Sequence, residues 1–226
     1  MNEENVLLIQ QEIRSPRSAA IAGILFAVLL TISTVLMYPI SSTDPLEINQ
    51  VWLESKAGTA NLAIFLVPYA GIAFIWFTGV IRERLGAFED RFFATIFFGT
   101  GLLIVAMLFI WAATIGAVFG SFAVAPDVLR DTDIVIFGFA LMNRIIGVFG
   151  LRMAGAYMFS IGTLWTRSGT MPRWLTIVTY VVALGFLLFA SWLREARFVF
   201  LGWVFLVSAY VLITNYRGSI VETGDV

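Results

Sequence analysis

The sequence predicts an all-α membrane bundle: six transmembrane helices forming a single integral membrane domain over residues 1–226. Three observations lead there. Hydrophobic residues make up 60% of the chain and charged residues 13%, against about 45–50% and about 25% for a soluble domain. The apolar residues fall into six stretches, each near the roughly 20 residues that a membrane-crossing helix needs. Almost every charge lies between those stretches or at the ends of the chain.

The first span covers about residues 18–40 and is closed by Ser41-Ser42-Thr43-Asp44-Pro45. It is longer than the apolar core of a cleavable signal, and no convincing small-residue cleavage site follows it, so it is read as a retained helix. The loop that follows carries a helix start, because Asp44, Pro45 and Glu47 stand at N-cap, N1 and N3 offsets. Gly58 is a stop signal. Leu46, Val51, Trp52 and Leu53 give this segment an apolar side, which predicts either a short interfacial helix on the periplasmic surface or an ordered loop packed on the bundle ends. The second span, about 60–81, ends at Arg82-Glu83-Arg84. Pro68 lies near its middle and cannot donate to the Ile64 carbonyl, so a kink is expected at Pro68 and Gly71. The third span, about 92–119, is rich in phenylalanine and threonine. The fourth, about 134–164, follows Asp127, Asp131 and Asp133, which suit a helix start better than an oxygen-rich metal site. The fifth and sixth run over about 174–193 and 198–215. Trp52, Trp165, Trp174 and Trp192 flank loops and read as interface anchors.

Orientation follows from the loop charges. With a cytoplasmic N-terminus, Arg14, Arg17, Arg82, Arg84, Arg91, Arg167, Arg173 and Arg217 fall inside. Lys56, Arg130, Arg194 and Arg197 fall outside. Both termini are therefore expected on the cytoplasmic side of a cell's inner membrane. The pair Arg194 and Arg197 runs against the bias.

Several chemistries are excluded by composition. The chain has no histidine and no cysteine, which removes disulfides, thiolate catalysis and Cys/His metal sites. Its one lysine, Lys56, lies in a polar segment and cannot serve as a buried Schiff-base lysine. No carboxylate stands inside a span, as a proton relay would need. No nucleotide loop or metal-ligand cluster occurs, and the net charge of −1 offers nothing to nucleic acid. No cofactor is expected. A lipid-processing enzyme is the weakest of the functional readings.

The exceptions to the charge pattern are Arg144 and Arg152, both within the fourth span. An arginine at the bilayer centre costs about 2.5–3.5 kcal/mol on insertion scales. Counting 1.5 Å per residue from Asp133 places Arg144 near mid-depth, roughly 16 Å in. Arg152 lies about 12 Å further along, where snorkelling to the cytoplasmic side is expected. At 100° per residue both share a face with Ala140, Gly147, Gly155 and Gly162, small residues that allow close helix approach. Asn143 and Tyr157 are polar neighbours in the same span. Arg144, Arg152, Asn143 and Tyr157 are therefore the candidate ligand-binding residues, for a small anion or a lipid headgroup. The structural alternative is a pair of arginines satisfied by carbonyls at helix breaks. These residues support a channel or transporter for an anionic or polar solute. A non-catalytic accessory or scaffold subunit, held in a homo-oligomer or beside a membrane partner, is the competing reading. The first expects a hydrated cavity at Arg144 and the second a dry bundle.

The C-terminal half adds a resemblance. Arg152-Met153-Ala154, the stretch Ser160 to Gly169, Met171-Pro172-Arg173-Trp174-Leu175 and Trp203-Val204-Phe205-Leu206-Val207-Ser208 resemble a family of uncharacterised six-span bacterial membrane proteins over residues 144–214. The resemblance implies the helix count and a bacterial origin. It implies no activity, and it places Arg152 more clearly than Arg144 within the family pattern.

Overall fold

The computed structural model describes residues 16–44, 47–85, 91–124, 133–192 and 195–223, and these are almost wholly helical. The helices are α1 (Pro16–Ser42), α2 (Gln50–Leu85), α3 (Arg91–Val124), α4 (Asp133–Arg144), α5 (Leu151–Ser168), α6 (Arg173–Phe189) and α7 (Ala196–Thr223). A π-helical segment, Ile145–Gly150, joins α4 to α5 without a break, and a 3₁₀ turn, Ala190–Trp192, follows α6. With α4 and α5 taken together there are six rods among the described residues. Five are long and apolar enough to cross a membrane, and α6 is a shorter apolar helix.

Lipid contact is written in what the bundle leaves outside. On α1, Ile21, Leu25, Val28, Ile32 and Val35 are all exposed, at the three- and four-residue steps that mark one helix face. Ile177, Val181, Leu184 and Leu188 do the same on α6. A soluble monomer rarely exposes apolar patches of this extent.

Inside, α1 packs on α2 and α7, α3 on α2, α4 and α5, and α6 on α5. Buried rings hold the centre. Phe26, Phe74, Phe97, Tyr157, Phe200 and Trp203 form one cluster, with Phe97 and Tyr157 centroids 4.5 Å apart. Close approach depends on glycine. A Cβ on Gly155 would lie 2.9 Å from the Ala183 carbonyl oxygen of α6, and one on Gly71 would lie 2.8 Å from Phe109 of α3. Interhelical hydrogen bonds add direction. Ser33 Oγ donates to the Ala63 carbonyl at 2.8 Å, and Trp203 Nε1 donates to Thr179 Oγ1 at 2.9 Å.

The α1–α2 connection departs from expectation. Residues 45–46 lie outside the described set, and α2 runs from Gln50 through Gly58 into the second span as one helix. Its cap is Asn49, whose side-chain oxygen accepts from the Trp52 N–H at 2.9 Å. Leu53 is buried, and Trp52 meets Phe139 of α4 at 6.4 Å between centroids. The apolar side of this segment therefore packs on the bundle instead of forming a separate interfacial helix. Pro68 stands inside α2, exposed. Gly71, three residues on, is buried against α3 and serves packing. Of the aspartates before the fourth span, Asp127 and Asp131 lie outside the described residues, and Asp133 begins α4.

Candidate functional site

Near one end of the bundle the helices part around a cavity of about 450 Å³. That is within the usual size of a small-molecule site. Four parts of the chain build its polar wall. The end of α1 supplies Tyr38, Ser41 and Ser42. The end of α4 supplies Asn143 and Arg144. The π segment supplies Ile146, Gly147 and Val148. Ala190, Glu195 and Arg197 come from the α6–α7 connection and the start of α7. Among the described lining residues, two guanidiniums stand against one carboxylate, a formal charge of +1.

Each contributor reaches the cavity for a local reason. Leu151 N–H bonds back to the Ile146 carbonyl, five residues away, and this wide turn is the π segment. Such turns open a helix and recur at functional sites. Here the turn places Gly147, which has no side chain to fill the space, on the cavity wall. At the end of α1 the carbonyls of Tyr38 and Pro39 accept from Ser41, Ser42 and Thr43 hydroxyls. Those bonds mute the negative end of the helix dipole, which would otherwise face an incoming anion. At the start of α7 the positive end of that dipole adds to Arg197 instead. Arg197 also lies over the Phe198 ring, 5.7 Å from its centroid.

Arg144 is exposed to this cavity and forms no hydrogen bond or ion pair with another described residue. It is not held by backbone carbonyls. It shares the cavity with Ser41, Ser42 and Ala190, which sit where α1 ends and where α6 turns toward α7. Irregular backbone facing lipid does not occur within the hydrocarbon region. The expected site residues separate in the structure. Asn143 is exposed and lines the cavity with Arg144. Arg152 is half-buried, lies outside the cavity wall and has no hydrogen-bonding partner among the described residues. Of the two arginines, Arg144 is therefore the more open to solvent, the reverse of the expected order. Helical side chains lean toward the N-terminus, so Arg152 leans toward the Arg144 end, away from the end to which snorkelling was expected. Tyr157 belongs to the aromatic core. It is fully buried, with its hydroxyl 3.1 Å from Thr78 Oγ1.

The small-residue face divides in the same way. Ala140 and Gly147 line the cavity, while Gly155 and Gly162 pack against α6. Projection at a constant 100° per residue does not hold across a π turn, so one face of the sequence becomes two in space. Arg197 and Glu195 escaped the sequence reading. The signal available for them was the outward arginine pair that broke the charge bias.

A second space adjoins the first. It is apolar, about 50 Å³, and is lined by Leu30, Ile104, Leu108, Ala154, Phe200 and Leu201 among others. Trp111, Ile146, Leu151 and Arg197 line both spaces. The opposite end of the bundle is basic, with Arg82 5.0 Å from the Phe98 ring and Arg167 5.2 Å from the Phe93 ring. Among the described residues no group of acidic side chains is placed to hold a metal ion. No protein-family model, curated protein or solved structure matches this multi-helix membrane chain.

Proposed function

We propose that this integral membrane protein binds a small anion in the cavity and carries it across a cell's inner membrane, with both termini on the cytoplasmic side. One observation carries the reading. Arg144 and Arg197, from two separate helices, line the same polar cavity, and Arg144 is in no hydrogen bond or ion pair with another described residue. A guanidinium with five donors gains most from an acceptor that can take several of them at once. The buried ring cluster beyond the cavity favours a carrier open to one side over a continuous pore.

The test is flux in reconstituted vesicles with chloride, nitrate, phosphate and acetate offered separately. Uptake of at least one is expected. Arg144→Gln and Arg197→Gln should each lower it by roughly tenfold or more, the scale of a lost hydrogen bond to a charged group, with folding retained. Absence of flux for every anion, with a membrane partner that co-purifies in mild detergent, would favour the accessory-subunit reading instead.

A further inference from the structure

We infer that the ligand is a single-chain amphipathic anion, with a carboxylate or phosphate head in the polar cavity and the start of its hydrocarbon chain in the adjoining apolar space. The inference rests on the anion-binding reading and extends it. Its basis is the join between two spaces of opposite character. The outer one carries Arg144, Arg197, Asn143 and two serines. The inner one is walled almost wholly by aliphatic and aromatic side chains, with Thr34 beside them.

The two spaces are neighbours, since Trp111, Ile146, Leu151 and Arg197 line both. A guanidinium there holds a head at the mouth of the apolar space while its own stem covers apolar surface. A small inorganic anion would use only the outer space. A neutral apolar molecule would leave Arg144 unmatched. An amphipathic anion satisfies both halves. The inner space, about 50 Å³, is a few times the ~10–15 Å³ of probe space that holds one water. It therefore takes only the first few carbons of a chain.

The shared chemistry fits a free fatty acid or a phosphate-headed single-chain lipid, and the test separates them. Binding to the purified protein in a non-ionic detergent is measured by calorimetry for two series. One runs acetate, butanoate, hexanoate and octanoate. The other runs inorganic phosphate, butyl phosphate and hexyl phosphate. In the series with the matching head, affinity should rise about three- to fourfold per methylene, then level once about two to four carbons fill the space. Leu108→Ala should move that levelling to longer chains, and Ala154→Leu to shorter ones. If either variant fails to fold, the series on the unaltered protein still decides. Partition into the micelle would give the same rise for the Arg144→Gln/Arg197→Gln double variant, which is instead expected to show no saturable binding. Equal affinity for short and long members would overturn the amphipathic ligand while leaving the anion site standing. Hexanol binding as tightly as hexanoate would overturn the head assignment. No saturable binding by any member would remove both readings together.

Discussion

Arg144 and Tyr157 are both polar residues of one span, and the structure gives them opposite surroundings. Arg144 faces an open polar cavity. Its removal takes away a charge without leaving a buried partner stranded. Arg144→Leu should therefore change thermal stability in detergent by less than about 0.5 kcal/mol, as an ordinary surface substitution does, while abolishing anion binding. A collapse in stability would make the residue structural. Tyr157→Phe should do the reverse. It strands the Thr78 hydroxyl, buried in the core, at a cost of about 0.6–1.7 kcal/mol for an interhelical bond in a membrane protein. Anion affinity should be unchanged, and a paired melt and binding titration checks both parts. Arg144 and Asn143 were legible from sequence because polar groups stand out in an apolar span. Arg197 was not, since an arginine at the end of a span is ordinary. The hydroxyl of Tyr157 marked it as polar, but its ring decides its place.

At the scale of elements, the π segment is what the sequence concealed. Runs of about 20 apolar residues located the helices, although α2 begins ten residues before its expected span and α7 ends eight residues after it. Nothing in Ile145-Ile146-Gly147-Val148-Phe149-Gly150 announces a widened turn, since the bonds that define it are backbone bonds. A wide turn absorbs one extra residue and leaves the helix on either side in register. Deleting Gly147 should therefore close the turn, spare the fold and lower anion affinity by roughly tenfold, as one charge-assisted hydrogen bond is lost. Deleting Ala156 from the regular helix α5 should instead rotate the remainder of that helix by about 100°. That would pull Gly162 off Tyr180 of α6 and lower the melting temperature sharply. Equal effects from both deletions would show that the π turn has no special role. The start of α2 teaches a related lesson. Asp44-Pro45 reads as the helix start, but Asn49 caps the helix that forms, and Trp52 and Leu53 pack that helix on the bundle.

For the whole molecule, helical class and lipid exposure were legible because composition and span length follow from the solvent. Orientation is a matter of charge. The ends of α2 and α5, with Arg82 and Arg167, stack on the start of α3 at one end, and the cavity lies at the other. The positive-inside bias predicts that the cavity faces outside. The chain has no cysteine of its own, so single-cysteine variants give clean labelling. A cysteine at Glu54 should react with an impermeant reagent in intact cells, and one at Thr170 only after the membrane is opened. The opposite pattern would invert the orientation.

The rods are of unequal length. Helix α2 has 36 residues, or about 54 Å, and α6 has 17, or about 26 Å. Exposed tryptophans, Trp174 and Trp192, stand at or just beyond the two ends of α6. A bilayer about 30 Å thick in its hydrocarbon part is slightly thicker than α6 is long, whereas the extra length of α2 is polar at both ends, with Glu54 and Lys56 at one and Arg82 at the other. Hydrophobic mismatch therefore falls on α6, and lipid beside it is expected to thin. Thickness becomes a control variable. Vesicles of short-chain lipids should relieve α6, and those of long-chain lipids should bury its turn into α7 and, with it, the approach to Arg197.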